Sequence, residues 1–186
     1  MKRILISILL LTGVSNLEVV AQRYLPGQKG IQITGGMVDL RPDSYHMGIA
    51  YSVYNKSRNR WVIGAEFLNR NTTYSNEKIP VSQLTAEAGY YLNFLSDRKD
   101  IFFLSLGMSA LGGYETVNWN NKKLSDGAII EDKDHFVLGG ALTIELEAFL
   151  SDRVALLMNI RERCLFGGDT NKFHNQIGFG IKYFFN

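Results

Sequence analysis

The stretch Asn175-Gln176-Ile177-Gly178-Phe179-Gly180-Ile181-Lys182-Tyr183-Phe184-Phe185-Asn186 decides the fold class. Every second residue from Ile177 to Phe185 is apolar, and Gln176, Gly178, Gly180 and Lys182 fill the places between. Side chains alternate across a strand, so this period of two gives a strand with one greasy face and one polar or small face. An aromatic-ended strand of this kind is expected of the last strand of an outer-membrane β-barrel, which carries the assembly signal and closes against the first strand.

Upstream, the same alternation recurs in seven more segments, near residues 30–38, 45–54, 61–70, 81–94, 101–117, 135–150 and 154–165. Within the spans that define the greasy faces, no residue is charged. A lipid-facing Lys or Arg at mid-membrane costs about 2–4 kcal/mol, and Asp or Glu less, which accounts for that exclusion. Glu162 departs from it and is expected at the rim or beside a bulge. The opposite faces carry Glu66, Arg70, Glu87, Glu115, Glu145, Glu147, Arg161, Arg163 and Lys182. A soluble sandwich would turn its charges to water. Here five acids and four bases suit a narrow lumen filled by a structural network of ion pairs. The expected fold is therefore all-β: an eight-stranded antiparallel up-and-down transmembrane barrel of the outer-membrane type.

Connection lengths orient it. The turns after segments two, four and six are short, and those after three, five and seven are longer, with residues 71–80 and 118–134 among them. This predicts periplasmic turns, outer loops and both termini in the periplasm of a Gram-negative bacterium. Aromatic residues at segment ends (Tyr45, Trp61, Phe94, Phe102, Tyr114, Phe136, Tyr183, Phe185) fit interface girdles. Residues 1–21 read as a cleaved signal peptide: basic Lys2-Arg3, an apolar run too short to span a bilayer, and Val19-Val20-Ala21 before the cut. Residues 22–186 then form one barrel domain, with 22–29 a short periplasmic segment.

Composition narrows the function classes. The formal charge is +2, and removing Lys2, Arg3 and Glu18 with the leader (two bases, one acid) leaves +1. That argues against direct nucleic-acid binding. The single cysteine, Cys164, excludes an intrachain disulfide and a cysteine-based zinc site. The glycine pairs 35–36, 112–113, 139–140 and 167–168 lack the Lys-Ser/Thr of a phosphate loop and suit strand bends.

The three histidines, His46, His135 and His174, fall at or just before the starts of segments two, six and eight and point inward by parity. Near Ser44, Ser52, Asp134 and Asp169 they could serve as a base activating a nucleophile, as in outer-membrane lipid-modifying enzymes, or as a three-His metal site. Plain rim residues are the simpler reading, with no cofactor and no metal expected. The long loop at 118–134 is a solvated loop first and a partner-binding loop second. A soluble lipocalin-like binding barrel would also alternate, but it would need no detergent.

The mature start, Ala21-Gln22-Arg23-Tyr24-Leu25-Pro26-Gly27-Gln28-Lys29-Gly30, resembles that of the TraO conjugal-transfer proteins of Bacteroidetes conjugative transposons. So do Thr85-Ala86-Glu87-Ala88-Gly89-Tyr90, Gly113-Tyr114-Glu115, Asp126-Gly127-Ala128, Phe149-Leu150-Ser151-Asp152-Arg153 and the block from Phe173 to Lys182. The resemblance spans essentially the whole mature chain. It implies a non-enzymatic envelope component of a mating apparatus, with other envelope proteins and outer-membrane lipid as its partners. It implies no binding residues.

Overall fold

The computed structural model describes residues 26–55, 57–74, 77–117, 134–168 and 172–185. Eight strands follow in chain order: β1 (Lys29–Val38), β2 (Arg41–Tyr54), β3 (Arg60–Tyr74), β4 (Glu77–Ser96), β5 (Phe102–Val117), β6 (His135–Ser151), β7 (Val154–Phe166) and β8 (Phe173–Phe185). Each pairs antiparallel with its sequence neighbours, and β1 pairs with β8, so the meander closes into a barrel. Closure leaves no free edge, as a strand structure in hydrocarbon requires.

The period of two becomes the two sides of the wall. On β8, Phe179, Ile181, Tyr183 and Phe185 are exposed, whereas Gln176, Lys182 and Phe184 are buried. Ile33, Ile63, Met108, Leu142 and Ile160 likewise face outward. All eight girdle aromatics named above are exposed, and Trp61 lies against Tyr90 with ring centroids 4.7 Å apart. The Tyr90 hydroxyl accepts a 2.8 Å hydrogen bond from the Asn55 side chain, tying the girdle to the β2–β3 turn.

Several expected boundaries move. β2 begins at Arg41, because Asp39 and Leu40 make a two-residue hairpin turn with positive φ (53° and 54°). The longer loop expected at 71–80 is mostly ladder, with Asn71 opposite Pro80 and Thr73 opposite Lys78. Its polar residues rise beyond the apolar belt, where alternation no longer marks a strand. His46 is consequently the sixth residue of β2, and His174 lies within β8 rather than before it. Glu162 has no bulge beside it, since β7 keeps continuous register with both neighbours there. It pairs with Asn175, whose backbone bonds Asp39 of the β1–β2 turn, so its row runs out to the rim.

At the other end the turns are locked by side chains. Asp97 Oδ1 accepts the N–H groups of Ile101 (2.7 Å) and Phe102 (3.1 Å). Slight burial raises the Asp97 pKa, but the backbone donors outweigh it and hold the carboxyl below its ordinary value. Arg58 and Asp100, both at positive φ, join the β2–β3 and β4–β5 turns through two hydrogen bonds of 2.8 and 3.1 Å. Strong wall coiling brings backbones close at the glycines: a Cβ on Gly36 or Gly139 would lie 2.0 or 1.9 Å from a neighbouring carbonyl oxygen.

Candidate functional site: the filled lumen

The lumen is built from inward residues of every strand, and it is layered. At the turn-locked end lies an aromatic layer of Tyr54, Phe103, Phe149 and Phe184 with Ala155. Phe149 stacks on Phe184 at 5.0 Å and meets Phe103 edge-on at 5.6 Å. These rings occupy inward positions at strand ends, where alternation places them among the polar residues.

On this layer rests the first charge cluster. Arg60 Nη2 lies 2.5 Å from Glu145, Arg60 Nη1 lies 3.5 Å from Glu147, and Nη1 also donates to Ser105 at 3.1 Å. Lys182 Nζ donates to Glu147, reaches Glu145 at 3.4 Å and bonds the Tyr54 hydroxyl at 3.0 Å. The Tyr54 hydroxyl in turn donates to Glu147 at 2.9 Å. Arg60 also stands over the rings of Tyr91 (4.7 Å) and Tyr54 (5.6 Å), and Lys182 over Tyr54 (5.6 Å).

A second cluster lies beyond it. Arg161 bonds Glu87 and reaches Glu66 at 3.4 Å. Arg163 bonds Glu66 at 2.8 Å and the Thr85 hydroxyl at 3.0 Å. Neutral donors supplement these cations: Gln176 to Glu66 and Ser109 to Glu87, each at 2.8 Å. Towards the opposite end of the barrel, Gln83 donates to Glu115 at 2.6 Å, and Arg70 lies 3.7 Å from Asp39. The void beside His46, Glu66, Tyr91 and Arg161 is about 20 Å³, room for a single water.

All nine charged residues expected at the lumen are buried. The clusters bring together Glu145, Glu147 and Lys182 in one layer, and Glu66, Glu87, Arg161 and Arg163 in the next. Arg70 and Glu115 stand apart towards the rim. Arg60 joins the set, although the sequence reading put it in the turn at 55–60. One register step back from outward Trp61 would have placed it inside. With Arg60 the buried lumen holds, among the described residues, five acids (Glu66, Glu87, Glu115, Glu145, Glu147) and five bases (Arg60, Arg70, Arg161, Arg163, Lys182).

The histidines do not assemble. His46 Nδ1 lies 3.5 Å from Glu66, and His174 Nδ1 lies near Arg70 (3.5 Å) and Asp39 (3.7 Å). His135 opens β6 opposite Glu115. Among the described residues no three His, Cys, Asp or Glu side chains could hold a metal ion, and the Ser44 hydroxyl has no bonded base. Asp169 and residues 118–133 of the long loop lie outside the described residues, as does the leader at 1–21.

A family model described as Conjugative transposon protein TraO matches residues 25–185. No curated protein matches the sequence. Among solved structures, the chain is similar to Ail, the attachment invasion locus protein of Yersinia pestis, in complex with the heparin analogue sucrose octasulfate. Identity there is 11%, covering 87% of this chain and 100% of that one, with a TM-score of 0.57. It is also similar to Neisserial surface protein A, at 12% identity over 85% and 95% of the two chains and a TM-score of 0.51. The N-terminal β-barrel domain of Pseudomonas aeruginosa OprF gives 9%, 86%, 98% and 0.51 in the same terms. At such identities the likeness is one of fold, that of the outer-membrane β-barrels.

Proposed function

This chain belongs to the TraO family of conjugative transposon proteins, and we propose that it serves as a non-catalytic outer-membrane component of a conjugative DNA-transfer apparatus. The family match over residues 25–185 carries this reading. The belt of outward Ile, Leu, Phe and Met supports a bilayer position, since an apolar surface this extensive has no stable place in water. In this reading residues 1–21 direct export, 22–29 form a short periplasmic segment, and both termini lie in the periplasm.

The lumen argues for action through surfaces. Its two charge clusters and aromatic layer occupy the space through which a solute would pass, and an eight-stranded barrel has little to spare. The ten buried charges act as a structural network that fixes the cross-section of the barrel. The protein then contributes through contacts of its outer wall, rim and loops with other envelope proteins of the apparatus, and it does not touch the DNA.

The test is transfer frequency from a donor carrying an in-frame deletion of the gene, with the wild-type copy restored in trans. Collapse of transfer and its return on complementation support the role. Unchanged transfer in the deletion strain would overturn it.

A further inference from the structure

The lumen cavity of about 20 Å³ lies where the two charge clusters meet. Glu145 of the first cluster lines it, and so do Glu66, Glu87 and Arg161 of the second. Strand parity brings Gln32 of β1 and His46 of β2 to the same wall, between outward Ile31 and Ile33 and between outward Tyr45 and Met47. Three polar atoms of this wall are left over from the ion-pair network. Gln32 Oε1, His46 Nε2 and Arg161 Nε are buried with no hydrogen-bond partner, and their residues are only 7%, 2% and 9% exposed. Buried polar groups are almost always paired, by protein or by an ordered water.

The chemistry of the three atoms selects the occupant. The Arg161 Nε–H group can only donate, and Gln32 Oε1 can only accept. His46 Nδ1 lies 3.5 Å from the Glu66 carboxylate, which favours the proton on Nδ1 and leaves Nε2 as an acceptor. The wall therefore asks for a ligand that accepts once and donates twice. Water does so, and about three hydrogen bonds is the usual number for a buried water. The cavity has no room for anything larger. A cation would meet the Arg161 N–H, and the carboxylates around it are already held by Arg60, Lys182, Arg161 and Arg163. An anion would meet Glu66, Glu87 and Glu145.

We propose that this cavity is a hydration site for one structural water, which accepts from Arg161 Nε and donates to Gln32 Oε1 and His46 Nε2. The water closes the seam between the two clusters and gives His46 and Gln32 their part in the lumen. The inference rests on the lumen geometry alone and is independent of the role proposed above.

The test is a crystal structure of the purified barrel at a resolution that orders waters, for the wild type and for Gln32→Met. That substitution keeps the side-chain length and removes the acceptor. Gln83→Met, at a residue that does not line the cavity, is the control. In the wild type one density peak is expected in the cavity, about 2.7–3.2 Å from Arg161 Nε, Gln32 Oε1 and His46 Nε2. The peak should be lost in Gln32→Met and kept in Gln83→Met. If Gln32→Met does not fold, the wild-type map decides alone. A wild-type cavity without a peak would overturn the proposal. So would a peak that scatters anomalously after a rubidium or bromide soak, which marks an ion. A peak that survives Gln32→Met unchanged, or one that Gln83→Met also removes, would overturn it as well.

Discussion

The two charge clusters of the lumen have the same arithmetic and different surroundings. Near the turn-locked end, Arg60 and Lys182 face Glu145 and Glu147. Further out, Arg161 and Arg163 face Glu66 and Glu87. The first cluster sits on aromatic rings, and its cations gain from the faces of Tyr54 and Tyr91. The second is edged by two neutral donors, Gln176 on Glu66 and Ser109 on Glu87, where the first has the Tyr54 hydroxyl on Glu147. A buried carboxylate that loses a cation needs other donors. The second cluster has more of them in place, so two networks of equal charge should tolerate damage differently.

The largest effect is expected from Lys182→Met, which leaves Glu145 and Glu147 sharing one cation beside a layer of rings. A broken buried pair costs about 3–5 kcal/mol, read as a lowered urea midpoint for the barrel refolded in detergent. Arg163→Met should cost less, about 1.5–3 kcal/mol, because Arg161 and Gln176 remain on Glu66. Equal losses in the two variants would erase the distinction between the clusters. Ser109→Ala removes one neutral donor from Glu87 and should cost about 0.5–1.5 kcal/mol in the same titration. Arg58→Ala breaks the Arg58–Asp100 pair, which is partly open to water (33% and 24% side-chain exposure). It should cost only about 0.2–1 kcal/mol, and less in high salt.

Where the outer wall was concerned, the amino-acid pattern was a good guide, because lipid excludes charge from one face and the strand period does the rest. Ile33, Ile63, Met108 and Ile181 could be placed without coordinates. The lumen was legible through its charges alone. Phe103, Phe149 and Phe184 were hidden, since an apolar residue reads as outward when hydropathy is the only signal. Parity was available: Phe184 stands between outward Tyr183 and Phe185 and must point in. Arg60 was lost because it begins β3 inside a polar turn. The β3–β4 extension was lost because its strand residues leave the apolar belt and are no longer selected for alternation. The histidines invited comparison with a site because all three read as inward and near one rim, although plain rim residues were the simpler reading. Register separates them, giving His46 to Glu66 and His174 to Arg70 and Asp39.

The central claim is that this lumen is a core and not a passage. Current through the purified barrel in a planar bilayer tests it most directly. A lumen closed by the Tyr54, Phe103, Phe149 and Phe184 layer, under balanced ion pairs, predicts a flat baseline with no stable conductance steps. Reproducible ohmic steps from the wild-type protein would contradict the account and return the inward charges to the role of a pore lining.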